Sequence, residues 1–486
     1  MDWLWLADDM VRAMEGRPVG SLPKGVSGLS IDSRSVGSGE AFFAIRGDRF
    51  DGHDFTSAAI ANGASLLVVS EEKLPALGAV GVPMIVVDDV LAALGRLGVA
   101  ARARSDAKIV AITGSVGKTT TKAMLAHALA TGGAVHSAVA SFNNHWGVPL
   151  TLARMPAKAE FGVFEIGMNH PGEIRPLVKM VRPHVAIVTT IAAAHLGYFS
   201  DLDEIAAAKA EIFEGIEPGG AAILNRDNEK YDLLRSAAAG CGVERIFSFG
   251  ADPAADFRLL GVELKPDRSD MRVSLLGEVL ELTVGAPGRH IVDNALAVLG
   301  AVRLVGCDPG KAATALAALP MQKGRGERHR LRVGDGTVEL IDESYNANPA
   351  SMRAALALLA QASPVGDGRR IAVLGDMLEL GRFSEQLHAG LCEPVDSADV
   401  DGLYLAGAEM AALAGAVSSR VAVKSFDDAV PLADELVRDL RAGDVVMVKS
   451  SLGLGFARVI KALLETFPAA ENERSAAAPA AKGHGC

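Results

Sequence analysis

The stretch KIVAITGSVGKTTTKAMLAHALA, residues 108–130, decides the fold. It opens with an apolar run, turns through glycine, and ends in a helix-forming segment. Such a strand–turn–helix unit aims backbone N–H groups and a helix N-terminus at an anion. Gly114, Ser115, Val116, Gly117, Lys118, Thr119 and Thr120 make the turn. Lys118 has the reach for a β- or γ-phosphate, and the Thr119 hydroxyl suits Mg2+. The loop is shorter than the general phosphate-loop pattern, because Ile112 stands where that pattern has its first Gly. The competing reading is an ordinary strand–helix turn with a solvated lysine.

Working outward, FGVFEIG (161–167), HVAIVTTI (184–191) and AAILNRD (221–227) read as further strands with helical patterns between them. Strands alternating with helices predict a doubly wound, mostly parallel sheet. FRLLGVEL, MRVSLLG and EVLELTV, within 257–284, follow one another without a helix and predict a small antiparallel excursion. Upstream, LSIDS, AFFAIRG, SLLVVS and MIVVDD predict a small N-terminal α/β domain over 1–88. Downstream, VELIDES, RRIAVLGDM, DGLYLAG and DVVMVKSS predict a Rossmann-like α/β domain. The expected organisation is therefore α/β with three domains: 1–88, a central phosphate-loop domain over 89–322, and 323–467. Residues 468–486, rich in Ala, Pro and charge, read as a disordered tail.

Composition narrows the function. With 48 basic against 59 acidic residues the chain carries a formal charge of −11, which argues against nucleic acid as a partner. Its four cysteines, at 241, 307, 392 and 486, have neither zinc-site nor disulfide spacing and suit a reducing compartment. The acidic N-terminus MDWLWLADDM lacks the basic start of a secretory signal, and no run reads as a membrane span. A cytoplasmic location follows as the expectation.

Several residues carry chemistry. Glu165 lies among apolar residues of a strand, where an ionised carboxylate needs either an ion pair or a metal. Ligands gather at the carboxyl ends of parallel strands, and Glu165, His195 and the 114–120 loop all fall near such ends. In DLDEIAAAKAEIFEGI, expected to be helical after Ser200 as N-cap, the spacing 202, 205, 209, 212, 216 puts Lys209 on the core-facing side. A buried lysine loses its proton more readily, and its neutral amine is a nucleophile, towards CO2 among others. A lysine snorkelling from the stripe edge fits the spacing as well. Asn294, opening a helix after Gly288, suits either an adenine edge or an N-cap. Arg325 suits either a phosphate clamp or the surface. The polar run Asp342 to Pro349 suits a site loop or an Asx-turn.

Together these residues resemble the Mur ligase family, ATP-dependent amide-bond-forming enzymes of peptidoglycan synthesis. TGSVGKT matches the family's TG(T/S)xGKT, shortened spacing included. FEIGMNHPGEI, AAAHLGYFSDLDEIAAAKAEIF, DESYNANPASM and LGDMLELG are similar to the branch that joins D-alanyl-D-alanine to UDP-N-acetylmuramoyl-tripeptide. The resemblance runs from about residue 28 to 460. It implies ATP and two Mg2+ ions as cofactors, with Lys118 and Thr119 on phosphate and metal, Glu165 and His195 as metal ligands, and Lys209 carbamylated to serve as one more. It implies Asn294 at adenine and Arg325 and Asp342 at phosphate and ribose. Ser33, Arg34, Asp51 and His53 fall at the UDP-sugar end. Asn143 and Asn144 are substrate-side candidates, and Tyr345, Asn346 and Asn348 are candidates for the D-alanyl-D-alanine side. The implied protein is a monomer.

The chain departs from the family pattern at Ile291, where GRHN is usual, at NNHWGVP (143–149) for NNEIGVP, and at KSSLGLGF (449–456), which lacks an arginine. A folylpolyglutamate-synthase-like ligase shares the core loop and the lysine but leaves IDSR and DESYNANPAS unexplained. A nucleotide-dependent switch without ligation chemistry keeps the loop but has no need of Glu165, His195 and Lys209 together.

Overall fold

The computed structural model describes residues 3–78, 80–194 and 196–470. It divides into two compact units: Met1–Ala192 with Tyr198–Leu319, and Ala193–Gly197 with Pro320–Cys486.

The first unit holds two main sheets. The smaller runs, in spatial order, Arg17–Val19, Met84–Val87, Leu66–Ser70, Ala41–Phe43 and Leu29–Ser30. All its neighbours are parallel except the first pair. The helix Val90–Ala103 follows, capped by Asp89, whose side chain accepts from the Ala92 N–H at 2.7 Å. It buries Val90, Ala93, Leu94, Leu97 and Ala101, one stripe at helical spacing, in a core shared with Leu150 and Ala153. Two polar ties fasten the N-terminal segment to the same place. Trp5 Nε1 donates to the Ala153 carbonyl at 2.8 Å, and Arg154 Nε donates to the Leu29 carbonyl at 2.8 Å.

The larger sheet has nine strands, ordered Glu278–Val284, Ser269–Leu275, Phe257–Leu264, Arg245–Gly250, Ala221–Asn225, Val185–Val188, Lys108–Thr113, Phe161–Glu165 and Val135–Ser137. The antiparallel excursion occupies one edge, and the remaining pairings are parallel. Register sets Glu165 beside Ile112 and Val188 beside Thr113, so three strands end together at the start of the phosphate-type loop. The strand Arg245–Gly250 is absent from the sequence reading. It bridges the parallel part to the excursion.

The second unit is built on a six-stranded sheet, ordered Glu327–Val333, Gly336–Asp342, Val445–Lys449, Arg370–Gly375, Gly402–Ala406 and Ala422–Phe426. Only the Glu327–Val333 pairing is antiparallel. Apolar clusters cover both faces, one under Pro349–Gln361 and the other under Ala429–Asp439 and Ala457–Thr466. Both edge strands are missing from the sequence reading. ERHRLRV carries too much charge to register as a strand, and only Leu331 and Val333 are buried in it. The expectation of disorder from 468 is corrected at its start. The Arg332 N–H donates to the Pro468 carbonyl and the Ala470 N–H to the Arg330 carbonyl, both at 2.8 Å, so 468–470 pair with this edge strand. Residues 471–486 lie outside the described residues. Among the described residues no helix is long and apolar enough to cross a membrane.

Candidate active site

Gly114 and Gly117 shape the loop, with φ of 147° and 86°, conformations that L side chains rarely adopt. Space forbids side chains as well. A Cβ on Gly114 would lie 2.0 Å from Thr189 Oγ1, and one on Gly117 would lie 2.8 Å from Asn294 Oδ1. Ser115 is buried, its N–H donating to the Thr190 carbonyl at 2.8 Å and its Oγ accepting from the Ala192 N–H at 3.0 Å. The Val116 carbonyl accepts from Thr189 Oγ1 at 2.5 Å. The loop backbone is thus held from the neighbouring strand end. The helix Lys118–Leu129 starts on Gly117, which has no side chain to cap it. Its first amides point towards the loop, the arrangement that suits an anion. Lys118 Nζ donates to the Gly114 carbonyl at 2.8 Å, curled over the same loop. Thr120 is half-buried one residue beyond Thr119. Asn294, on Arg289–Leu304, is buried against Gly117. Ile291, the departure from the family pattern, is packed into the core.

Glu165 is 3% exposed at its strand end. Its Oε1 accepts from Asn143 Nδ2 at 2.8 Å and from Thr119 Oγ1 at 3.1 Å. Its Oε2 is buried and has no hydrogen-bond partner among the described residues. Lys122 Nζ stands 3.8 Å from that oxygen and donates to the Ala140 carbonyl at 2.8 Å. Thr119 Oγ1 also lies 3.2 Å from Ser141 Oγ. A buried carboxylate oxygen left unbonded is costly. Thr119 Oγ1 bonds the other Glu165 oxygen and Ser141 Oγ contacts Thr119, so the groups here that could ligate a metal are all oxygens, which suits Mg2+. Lys122 and Ser141 were not singled out in the sequence. Lys122 had a signal, since it lies one turn after Lys118 on the same helix face. Ser141 had none. Asn144 sits apart, its Oδ1 accepting from the Gly147 N–H at 3.0 Å just before the helix Gly147–Ala153.

Lys209 is 1% exposed on the helix Leu202–Ala210. Burial first, and the charge of Lys118 second, push its ammonium well below the ordinary lysine range. The core-facing placement agrees with the periodicity, but two details differ. The N-cap is Asp201, accepting from the Glu204 N–H at 2.9 Å, while Ser200 donates to the Glu204 carboxylate. The helix also changes to a 3-10 turn at Glu211–Gly215, which carries Ile212 and Phe213. Buried Glu211 accepts from the Gly172 and Arg175 N–H groups at 2.6 and 3.0 Å, fastening the MNHPGEI loop. His195 lies outside the described residues.

In the N-terminal domain the expected UDP-sugar residues split. Arg34 is exposed, its guanidinium Nη2 pairing with Asp32 at 2.7 Å, and Ser33 is buried with its carbonyl accepting from Asn62 Nδ2 at 2.8 Å. Asp51 and His53 engage each other, with Oδ1 2.6 Å from Nδ1, while Lys73 holds the other Asp51 oxygen at 2.8 Å. The Ser70 N–H donates to His53 Nε2 at 3.0 Å, so Nδ1 carries the proton. Burial alone would raise the Asp51 carboxyl, but Lys73 and His53 outweigh it and hold it below the usual carboxylate range.

The second unit gathers a separate set. Asp342, 1% exposed at its strand end, accepts from the Ser344 N–H at 3.0 Å. The Arg325 guanidinium lies over the Tyr345 ring, 4.1 Å from its centroid. Exposed Asn346 offers its carbonyl to Lys449 Nζ at 2.9 Å, and Glu343 stands 3.5 Å from the same ammonium. Burial lowers the Lys449 pKa, with Glu343 opposing. Asn348 is occupied as the N-cap of Pro349–Gln361, in a capping box with Ser351. Its side chain therefore serves the helix. In the KSSLGLGF loop, Ser451 Oγ accepts from the Leu378 N–H at 2.9 Å, joining that loop to LGDMLELG.

Three family models match in chain order: "Mur ligase family, catalytic domain" over 25–102, "Mur ligase middle domain" over 112–302, and "Mur ligase, glutamate ligase domain" over 324–452. The UDP-N-acetylmuramoyl-tripeptide–D-alanyl-D-alanine ligase of Escherichia coli is 33% identical, the match covering 90% of this chain and 93% of that one. The enzyme of the same name from Rickettsia prowazekii is 31% identical, covering 89% and 94%. Among solved structures, MurF from Acinetobacter baumannii superposes with a TM-score of 0.81 at 30% identity, covering 95% of this chain and 99% of that one. MurF ligase from Thermotoga maritima in complex with ADP gives 0.74 at 26%, covering 90% and 97%. With relatives of this identity matched over nearly their whole length, and with the loop, the strand-end carboxylate and the buried lysine in place, the chain belongs to the Mur ligase family.

Proposed function

We propose that this chain is an ATP-dependent ligase that joins D-alanyl-D-alanine to UDP-N-acetylmuramoyl-tripeptide, yielding the pentapeptide, ADP and phosphate. The observation that carries the reading is Glu165, a buried carboxylate with one oxygen that has no hydrogen bond among the described residues, beside Thr119 at the foot of the phosphate-type loop. The substrates are assigned by similarity to the relatives named above.

In this reading the 114–120 loop and Lys118 hold the triphosphate. Thr119, Glu165, His195 and, as its carbamate, Lys209 would hold Mg2+, which would neutralise phosphate charge when bound. The tripeptide's terminal carboxylate attacks the γ-phosphorus and ADP leaves, giving an acyl phosphate. The D-alanyl-D-alanine amine attacks the acyl carbon, loses a proton, and phosphate leaves with the C–O electron pair. Lys118 withdraws charge from the oxygens under attack. Lys209, whose burial pushes its ammonium well below the ordinary lysine range, adds to CO2 through its nitrogen as the free amine and releases one proton, becoming a carbamate able to act as a metal ligand. Asn294 contacts adenine, and Arg325 and Asp342 contact phosphate and ribose. Ser33 and Arg34 meet the UDP end, with Asp51 and His53 shaping that pocket's wall. Asn143 orients Glu165, and Asn144 shapes the adjoining turn. Tyr345 and Asn346 face the dipeptide, and Asn348 fixes their loop through its helix cap. We further assign residues 1–88 to the UDP-sugar domain, 89–322 to the ATP domain and 323–467 to the third domain, of a monomer acting in the cytoplasm.

The test is phosphate release from Mg·ATP with UDP-N-acetylmuramoyl-tripeptide, with and without D-alanyl-D-alanine. Release that needs both substrates, with a pentapeptide product, is expected. Release with neither, or none with both, overturns the reading.

A further inference from the structure

The edge strand Glu327–Val333 carries a feature that the ligase reading does not use. Strand alternation puts Glu327 and His329 on one face, and register sets Glu327 directly opposite Asp342. One ligand atom from each of Glu327, His329 and Asp342 lies within 4.8 Å of the other two. Carboxylates placed opposite one another across a strand pair repel, and Asp342 is fully buried. His329 Nε2 is itself buried and has no hydrogen-bond partner among the described residues, the Glu327 carboxylate being 3.8 Å away. An unbonded buried imidazole nitrogen beside two facing carboxylates is unfavourable unless something lies between them. Of the nearby cations, Arg328 pairs with Glu339, Arg325 stacks on Tyr345, and Lys449 pairs with Glu343 while also attracting Asp342; none is at hydrogen-bond distance of His329 Nε2 among the described residues. One cation at the centre meets all three needs.

We propose that Glu327, His329 and Asp342 form a binding site for a divalent transition metal of the Zn2+ class. An imidazole nitrogen with two carboxylates selects zinc over magnesium, which prefers oxygen alone. Zinc bonds of about 2.0–2.2 Å need the donors somewhat closer than they stand, a closure that small side-chain rotations supply. Three protein ligands leave a fourth position open. Asp342 is also assigned above to ribose, so zinc and nucleotide would share a ligand. That consequence rests on the ligase reading, whereas the metal site does not.

The test is calorimetric titration of the full chain with Zn2+ alone, without nucleotide, alongside the visible spectrum of the Co2+ form. The expected result is a site whose affinity falls at least about tenfold in His329→Ala and in Glu327→Gln, with Glu165→Gln unchanged. The Co2+ form should show nitrogen and oxygen ligation without a thiolate band. Melting curves taken without metal identify a variant that has simply lost its fold, and the second variant then decides. No Zn2+ binding by the wild type, equal affinity in the folded variants, or a persistent thiolate band overturns the proposal. Phosphate release with Mg·ATP after removal of zinc is read separately, so failure here leaves the ligase reading standing.

Discussion

Two carboxylates of the first unit, half-buried Asp51 and buried Glu165, behave in opposite ways. Asp51 is satisfied on every side: His53 and Lys73 hold its oxygens, and Ser70 closes the network through His53. Glu165 is hydrogen-bonded on one oxygen only; its other oxygen is buried with no hydrogen bond among the described residues, its nearest cation being Lys122 Nζ at 3.8 Å. Both sit beside positions that look functional in the sequence. A completed hydrogen-bond network stabilises a fold, while a buried carboxylate oxygen without a hydrogen bond, held only by a cation at ion-pair distance, marks a place where a ligand can add a bond.

The largest effect should come from the incomplete side. Lys118→Ala should lower kcat/KM for ligation by about 10^3, or about 4 kcal/mol of transition-state stabilisation. Steady-state kinetics with a melting curve checks it, and a loss explained by unfolding would break the comparison. Next, enzyme stripped of CO2 should lose activity roughly 10- to 100-fold and regain it with bicarbonate. Lys209→Arg should lose activity without regaining it. Bicarbonate-independent activity in the wild type would remove the carbamate from the account.

On the completed side the effect is on stability. Asp51→Asn should cost about 2 kcal/mol in urea unfolding at neutral pH. The folded Asp51 pKa is depressed, so its contribution is present above the unfolded value of about 4 and lost as pH falls below it. The variant should therefore show a flatter acid limb, converging with the wild type at low pH. The smallest effect is expected at Gly117→Ala, where the positive φ and the 2.8 Å approach to Asn294 should cost about 1–2 kcal/mol. It should be read first as a raised KM for ATP, since the strain falls on the loop.

The comparison also explains what was legible in the sequence. The loop was, because glycines with forced φ leave a local pattern. Lys209 was, because a charged residue on an apolar helical stripe stands out. Its N-cap was misplaced by one residue, since Ser200 and Asp201 are both good caps and only the geometry chooses between them. The strand Glu327–Val333 was hidden by its charges, which an edge strand tolerates and a central one would not. Ser141 was hidden because its role arises from a contact across 22 residues with Thr119. The tie from His53 to Ser70 was hidden for the same reason, lying 17 residues apart, whereas Asp51 and His53, two residues apart, were named at the UDP-sugar end. Asn348 gave a mixed signal: Asn-Pro-Ala-Ser is a capping sequence as much as a site sequence.

The most direct test of the central claim is the Mg2+ dependence of ATP binding in the wild type and in Glu165→Gln, measured calorimetrically with melting curves in parallel. The account predicts that Mg2+ tightens ATP binding in the wild type, that this gain largely disappears in Glu165→Gln, and that the melting temperature stays within a few degrees. A variant that binds Mg·ATP like the wild type, or that melts far lower, would make Glu165 a structural residue and contradict the account.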